Sequence, residues 1–375
     1  MKQPSIKCIS ISDVHLGNKR NTATEIISNL NAFFNDYKPI DDLDILFIAG
    51  DLFDTFLQLA TPDSAEITIW MNRLVMWCAR NNIRLRVLEG TPSHDWRQSR
   101  LFETVISVNG VRLDFKYVDT LYIEHIEDLG IDVLYVPDEW SPSTDKTLEQ
   151  VRGLLASNGI NKVDLAIMHG QFGYQLPSAA MKAPRHDENA YLNLVRHFIS
   201  IGHVHVHSVY GRILAQGSFD RLSHNEESPK GGIEFTIHSD GSREFFFIEN
   251  KRAKIFKTVT CKDKDIDVAL RYIDKQTKSL PIDSHVRIRA SKMHPIMSGV
   301  DELKNRYPHF VITKIAIEEE VEETELALEE VIEHYSAIAI DKMNITDLLL
   351  AEIVDKNQLT NTQVAYITNE LRGVL

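Results

Sequence analysis

Five short apolar runs in this chain each stop at a cluster of glycine, aspartate and histidine, and that repetition limits the folds open to it. Residues 7–12 run into Asp13-Val14-His15, residues 44–49 into Gly50-Asp51, and residues 83–89 into a stretch from Gly90 to Asp95. Residues 163–168 end at His169-Gly170, and residues 198–201 at Gly202-His203-Val204-His205. Each run has the length and composition of a buried strand. Between the first three lie residues 22–37 and 64–81, whose apolar positions recur at mixed three and four spacing, the period of an amphipathic helix. Strand and helix in alternation predict an α/β core. Open α/β sheets build their sites at the carboxyl ends of strands, where these polar clusters fall. Residues 213–216, 232–238 and 243–249 read as further strands, with turns at Lys230-Gly231-Gly232 and Ser239-Asp240-Gly241. They are expected to complete a second sheet stacked on the first.

With 375 residues and 43% apolar content, the chain can bury a large core and carry smaller appendages. A break near Asn250-Lys251 opens a region, 251–317, that reads as a compact unit of two helices and three strands. Residues 318–340 follow as an acidic connector helix, and two short amphipathic helices, 344–354 and 360–371, fall within 341–375. The net charge of −13 is unusual for a chain that contacts DNA. Nine glutamates and no Lys or Arg occupy residues 318–333, so the rest of the chain carries only −4. No apolar run approaches the roughly 20 residues of a membrane helix, and the first residues lack the apolar core of a signal peptide. Cys8, Cys78 and Cys261 are too scattered for a zinc cluster or a disulfide framework. A soluble cytoplasmic protein that does not meet a membrane is expected.

Carboxylates and imidazoles are the ligand types that hold hard and borderline divalent cations. In Asp13/His15 and His203/His205 the paired residues project to the same side of an extended chain, so each pair can approach one cluster. Gly50 and Gly202 let the backbone turn tightly just before the ligands. Singly, each feature is ordinary: a histidine at a strand end is usually just hydrogen-bonded, and an aspartate after glycine terminates a strand or caps a helix. Recurrence at five strand ends points to one shared metal site. Two divalent cations about 3.5–4 Å apart activate a water and stabilise charge on phosphoryl oxygens, which is the chemistry of phosphodiester hydrolysis. No nucleophilic triad and no Gly-x-x-x-x-Gly-Lys loop is present, so ATP hydrolysis by this chain is not expected.

Other residues are weaker candidates. His207 continues the alternation but lies about 6–7 Å beyond His205 at the usual rise of a strand, too far to share its ion. His186 and His224 sit in polar loops and are expected at the surface. The run Trp96-Arg97-Gln98-Ser99-Arg100 reads equally as a contact for DNA backbone and bases or as an ordinary loop-to-helix junction. Lys182, Arg185 and His186 form a weak basic cluster with the same two readings.

Together, Asp13-Val14-His15, Gly50-Asp51-Leu52-Phe53-Asp54, Gly90 with His94-Asp95, His169-Gly170 and Gly202-His203-Val204-His205 resemble the motifs of the calcineurin-like metallophosphoesterase superfamily. Within it, Gln216-Gly217-Ser218-Phe219, Asn225-Glu226-Glu227 and Lys230-Gly231 resemble the Gly-Ser, Glu, Lys-Gly stretch of SbcD-type exonuclease subunits and their phage recombination counterparts. The resemblance covers residues 7–250. Residues 251–317 match the family's capping domain by order of elements, and the rest matches in position only. It implies an α/β fold of two stacked mixed sheets flanked by helices over 1–250, a capping domain over 251–317, an acidic linker over 318–340 and partner-binding helices over 341–375. It also implies that Asp13, His15 and His205 hold one ion, that His169 and His203 hold the other, and that Asp51 bridges them. His94 would be an uncoordinated histidine that protonates the leaving oxygen or stabilises transition-state charge. Asp95 would orient that imidazole, and Asp54 would give similar support or cap a helix. The family writes its third motif Gly-Asn-His, with the Asn on the second ion. Here Ser93 stands before the histidine with two extra residues after Gly90, so a weaker second site is expected. Manganese is the metal that the family favours.

The leading expectation is a metal-dependent DNA exonuclease and endonuclease, a homodimer working with an SbcC-like ATPase. Apolar faces at Ile345, Leu348, Leu349 and Ile353, and at Val364, Ile367 and Leu371, would either contact that partner or pack on the chain's own body. A second reading keeps the metals and changes the substrate to a nucleotide ester, a cyclic nucleotide or a phosphoprotein. A third is a non-catalytic scaffold of the same fold.

Overall fold

The computed structural model describes residues 5–36, 42–58, 61–138, 143–176, 183–262, 265–298 and 300–317. The connector and the helices expected beyond 317 lie outside these residues, as do Lys182 and residues 177–181.

In chain order the large unit comprises β1 (Ile6–Ile11), α1 (Ala23–Asp36), β2 (Ile45–Ala49), α2 (Pro62–Arg80), β3 (Arg84–Leu88), α3 (Pro92–Asp95), α4 (Leu101–Asn109) and β4 (Phe115–Val118). It continues with β5 (Tyr122–Ile126), β6 (Ile131–Val136), α5 (Thr144–Ser157), β7 (Val163–Gly170), α6 (Glu188–Leu194) and β8 (Val195–His203). Last come β9 (Ser208–Tyr210), β10 (Ile213–Ala215), β11 (Gly231–Ile237) and β12 (Arg243–Glu249). One six-stranded sheet has the order β12-β11-β1-β2-β3-β4, the other β5-β6-β7-β8-β10-β9. In each, four strands run parallel: β1 to β4 in the first, and β6, β7, β8 and β10 in the second. Antiparallel strands at the edges make both sheets mixed. The expected α/β architecture of two stacked mixed sheets flanked by helices is the observed one.

Strand alternation builds the layers. Ile45, Phe47 and Ala49 of β2, together with Phe235 of β11 in the same sheet, face the second sheet, where they pack with Leu165 and Ile167 of β7 and Phe198 of β8. Leu46 and Ile48 face the other way, into α1 and α2. Ala166 and Met168 of β7 turn from the first sheet toward Val151 and Leu155 of α5 and Tyr191 of α6. Strand β2, and β7 from Leu165 to Met168, are therefore apolar on both faces, as their unbroken apolar runs required, whereas β3 carries a buried Arg86 that pairs with Glu124 at 2.9 Å. Helix α2 shows how the sequence sets an outer layer. Thr61 caps it by accepting from Ser64 N, Pro62 opens its first turn, and Ile67, Trp70, Met71, Leu74, Val75 and Cys78 are buried at helical spacing.

One expectation about connectivity is corrected. Of the three late strands, only β10 joins the second sheet; β11 and β12 extend the first, β11 lying antiparallel to β1 along Ile6↔Ile237 to Ser10↔Ile233 and β12 antiparallel to β11. Gly232 permits that approach, because a Cβ there would lie 2.9 Å from Ser10 O and 2.8 Å from the Ile11 side chain. The second sheet is seeded instead by β5, β6, β7 and β8, two of which lie between the runs singled out above.

The small unit has β13 (Phe256–Cys261), α7 (Ile266–Thr277), β14 (His285–Ser291), α8 (Val300–Arg306) and β15 (Val311–Ile317) around a three-stranded parallel sheet. Its core of Val259, Ile273, Val286, Ile288 and Leu303 is separate from the others. Among the described residues, no helix is long and apolar enough to cross a membrane.

Phe47 is fully buried between the sheets, its ring stacked 6.3 Å from that of Phe235. Phe47→Ala should lower unfolding stability by about 3–5 kcal/mol in denaturant titration. Val108→Ser, at a position 80% exposed, should change it by less than about 0.5 kcal/mol.

Candidate metal centre

The loops after β1 and β2 continue the pairing of their strands. Asp13 N donates to Gly50 O (3.1 Å), Val14 N to Asp51 O (2.8 Å), and Leu16 N to Leu52 O (2.9 Å). This ladder holds Asp13, His15 and Asp51 at φ of 50°, 54° and 49°, a left-handed conformation that side chains larger than glycine adopt at a cost. Gly50, at φ 86°, has no room for a Cβ, which would sit 2.2 Å from His169 Nδ1. A Cβ at Gly90 would come within 2.3 Å of Asp51 Oδ1. These two glycines let the ends of β2, β3 and β7 close on one point.

Asp51 lies at that point. Its Oδ1 is 3.2 Å from His169 Nε2, and its Oδ2 is 2.9 Å from His94 Nδ1 and 3.9 Å from His15 Nε2. On one side, His15 Nε2 and His205 Nε2 converge to 3.1 Å, with Asp13 Oδ1 3.7 Å from the latter. On the other, His203 packs edge-on to His169 with ring centroids 5.3 Å apart, and its backbone N–H donates to both oxygens of Asp13 at 3.0 Å. Three overlapping groups, Asp13/His15/His205, His15/Asp51/His94 and Asp51/His169/His203, each bring ligand atoms within 4.8 Å of one another and can hold a cation.

The far side of three of these imidazoles is equally specific. His15 Nδ1 faces Asp54 Oδ1 at 3.2 Å, His169 Nδ1 faces Ala49 O at 2.8 Å, and His205 Nδ1 faces Glu226 Oε1 at 3.1 Å. Anchoring one ring nitrogen on an acceptor so that the other points into the site is how metal-bound histidines are oriented. His94 is turned the opposite way, with Nδ1 toward Asp51 and its side chain 38% exposed. Glu226 is itself held by Lys230 Nζ (3.0 Å) and Ser218 Oγ (3.0 Å), and Lys230 also donates to His205 O (2.7 Å). The Gly-Ser, Glu, Lys-Gly stretch is thus the support of His205.

Two sequence assignments take a different form. Ser93 is exposed, and its carbonyl accepts from Trp96 Nε1 at 2.7 Å; it is not brought into the cluster. The group that enters is Thr91, buried, with its N–H on Asp51 Oδ1 at 2.5 Å and its hydroxyl 3.2 Å from Oδ2. Thr91 directly follows Gly90, as the Asn of Gly-Asn-His follows its glycine, so counting forward from the glycine finds it. Asp95 does not touch His94. Its carboxylate accepts from the backbone N–H groups of Asp51 (3.0 Å), Phe53 (2.9 Å) and Gly90 (2.7 Å), and so fixes the loops rather than the imidazole. Burial, with the charges of Asp51 and Glu89, pushes Asp95 up to about 8 against those donors. Asp138, beyond β6, was missed. It hydrogen-bonds Thr91 near Asp51 and His169, and burial raises it to about 6. Its signal was the same as elsewhere, an apolar strand ending at Pro137-Asp138.

His186 is not a surface residue, and His224 is half-buried. His186 is buried against Phe172 and Tyr191, which pushes it down to about 4, and His224 packs 4.9 Å from Phe256 of the small unit. His207 stays out of the cluster, with Nδ1 on Ala215 O at 2.8 Å and its ring stacked on Phe247.

No family model matches the chain, and no curated protein matches it. Among solved structures it is similar to TT1561 of Thermus thermophilus, at 12% identity and a TM-score of 0.37, over 64% of this chain and 98% of that one. It is also similar to GAP50, described as the anchor in the inner membrane complex of Plasmodium, at 12% identity and a TM-score of 0.38, over 73% of this chain and 95% of that one.

The electrostatics favour a cation. Burial opposes charge on His15 and His169. Nevertheless the hydrogen bond to Asp54 and the charges of Asp51 and Asp13 raise His15 to about 9, and Asp51, Asp13 and Asp138 raise His169 to about 10. Asp51, despite its burial, is held well below the usual carboxylate range by His169, His94 and His15. His203, buried beside His169, is pushed down to about 4. Without metal, protons on His15 and His169 balance the carboxylates; a divalent cation takes over that role and expels them. Binding of Mn²⁺ or Zn²⁺ at pH 8 should therefore release about two protons, and affinity should rise with pH toward 9–10 and fall in acid. Calorimetry in two buffers of different ionisation enthalpy measures the release, and its absence would show that neither imidazole is displaced. Asp95→Asn sets an amide N–H₂ against backbone N–H donors. It should lower stability by about 1–3 kcal/mol in denaturant titration and weaken metal binding in the same calorimetry.

Proposed function

We propose that this chain is a metal-dependent phosphodiesterase that hydrolyses DNA, using two divalent cations held on either side of Asp51. One observation carries the reading. The two oxygens of Asp51 face two histidine-bearing groups, while a differently oriented histidine, His94, opens to solvent beside them. Such a cation pair supplies an activated water and positive charge for the phosphoryl oxygens. Asp13, His15 and His205 form one side of the site, and His169 and His203 the other. Thr91, hydrogen-bonded to both oxygens of Asp51, fixes the carboxylate that would hold the cations, whereas Ser93 was expected to complete the second site.

His94 needs no cation to be useful. Its Nδ1 rests on Asp51 Oδ2, which orients the ring, and the exposed side of the ring can deliver a proton to a departing oxygen. That is general acid catalysis of the step in which the leaving oxygen takes up negative charge. The depth of the ligand set also weighs against a non-catalytic scaffold, since its carboxylates and imidazoles are present together and His15, His169 and His205 are each backed by an acceptor.

DNA as substrate is supported by the resemblance of these motifs to SbcD-type subunits and by the small unit placed after the core. The same resemblance supports manganese, a homodimer and an ATPase partner engaged through residues 341–375. Small-unit residues bond the loop that carries Glu226: Glu227 accepts from Thr258 N and ion-pairs Lys257, and Arg287 donates to Asn225.

The test uses purified full-length protein with linear duplex DNA, single-stranded DNA and a small phosphodiester, in Mn²⁺, Mg²⁺ or chelator. DNA should be cleaved with Mn²⁺ and not with chelator. Asp51→Asn should abolish cleavage, and His94→Ala should lower kcat about 10²- to 10⁴-fold while metal binding persists. Cleavage of the small ester alone would move the substrate to a nucleotide or phosphoprotein. Inactivity with every ion, with or without the ATPase, would leave a scaffold.

A further inference from the structure

Beside His94 two large aromatic side chains stand in solvent where apolar groups are ordinarily buried. Trp96 is 55% exposed and Phe56 59% exposed, with ring centroids 6.2 Å apart in an edge-to-face pair. They sit on the two loops that carry the site, Phe56 five residues after Asp51 and Trp96 two after His94.

Neither ring is there by default. Trp96 and Arg97 are consecutive non-glycine residues in the left-handed region, at φ 48° and 57°, a conformation that persists only where surrounding bonds impose it. The bonds are present. Arg97 N donates to Glu89 Oε1, Trp96 Nε1 donates to Ser93 O at 2.7 Å, and Asp95 ties Phe53 and Gly90. Buried Gln98 joins the two loops directly: its Oε1 accepts from Leu57 N at 2.7 Å, and its Nε2 donates to Thr55 O at 3.0 Å and to Asp95 O at 3.2 Å. The indole's polar end is satisfied within its own loop, so its faces are what it offers to solvent. Arg97, with a side chain 67% exposed and only a distant Asp119 at 3.7 Å, adds positive charge to the rim.

We propose that Trp96 and Phe56 form a rigid platform on which the base next to the scissile phosphate stacks, with Arg97 meeting the flanking phosphate; this rests on the hydrolase reading above. Exposed aromatics beside a cation, continuous with a phosphoester site, match the chemistry of an unpaired nucleotide, a flat π-face joined to an anion. The preferred substrate is then a single-stranded or frayed end, because a base within a duplex has no free face.

The experiment compares a short oligothymidylate with a fully abasic oligonucleotide of the same length, using full-length protein in Mn²⁺. Binding is read from tryptophan fluorescence, and cleavage is read as KM and kcat. Trp96→Ala should raise Kd and KM for the oligothymidylate by about 10- to 100-fold, and for the abasic chain by less than about twofold. Quenching by the oligothymidylate should be largely lost in Trp96→Phe, which should still retain most of the affinity; Phe56→Ala should weaken binding to a smaller degree. Equal penalties on both oligonucleotides would reduce Trp96 to a support of its loop and overturn the platform, as would no penalty on either. If wild type binds through Trp96 but cleaves nothing in any metal, the platform stands and the hydrolase reading falls. If it cleaves and Trp96→Ala behaves like wild type, the reverse holds. If it neither binds nor cleaves, both fall.

Discussion

A single buried carboxylate sets the terms for this fold. Asp51 sits in the left-handed region at the end of β2, with three imidazoles, the Thr91 hydroxyl and a backbone N–H around it. Placing a carboxylate there requires backbones to approach more closely than side chains permit, which is why Gly50 and Gly90 are glycine. It also requires strained residues at Asp13, His15 and Asp51, each at a cost of about 1–3 kcal/mol. The inter-loop ladder from Gly50 to Leu52 and the three N–H bonds to Asp95 hold that strain in place. Hydrogen bonds made by the loops, rather than by the ligands, give the site its rigidity.

The second constraint is the contact between sheets. Asp13, His15, Asp51 and His94 come from the first sheet, and His169, His203 and His205 from the second or its following loop. Neither sheet has a site alone. Their faces are joined by apolar packing and by a buried polar chain, in which Ser200 Oγ donates to Ser10 Oγ at 2.8 Å and Gln216 Nε2 meets the same oxygen at 2.9 Å. Gly202 lets β8 come within contact of Ser12 and Ala49 O just before its histidine pair. Because the inter-sheet core also positions the ligands, loss of packing at Phe47 and loss of the site are physically coupled.

The support extends outward to the small unit. Glu226, which orients His205, lies on a loop whose neighbours Arg221 and Glu227 bond the start of that unit: Arg221 reaches Ala253 O and Lys254 O, and Glu227 meets Thr258 N. A displacement of the small unit therefore has a short mechanical route to one imidazole of the site.

The local events were legible in the residues. Unbroken apolar runs mark strands covered on both faces, and helical spacing from Ile67 to Cys78 marks an outer layer. An apolar run that stops at a cluster of glycine, aspartate and histidine marks a strand end where a ligand can be presented. Those signals depend only on neighbours in sequence, so they located Asp13, His15, Asp51, His94, His169, His203 and His205. What the chain alone left open depends on partners far apart in sequence. That β11 pairs with β1 and not with β10, that Thr91 enters the cluster while Ser93 faces solvent, and that Asp95 binds backbone and not His94 are each decided by contacts across about 40 to 230 residues. The places of Asp138 and His186 follow the same rule. Local pattern determines which groups are available at a strand end; only the packing of one sheet on the other determines which of them share a point in space.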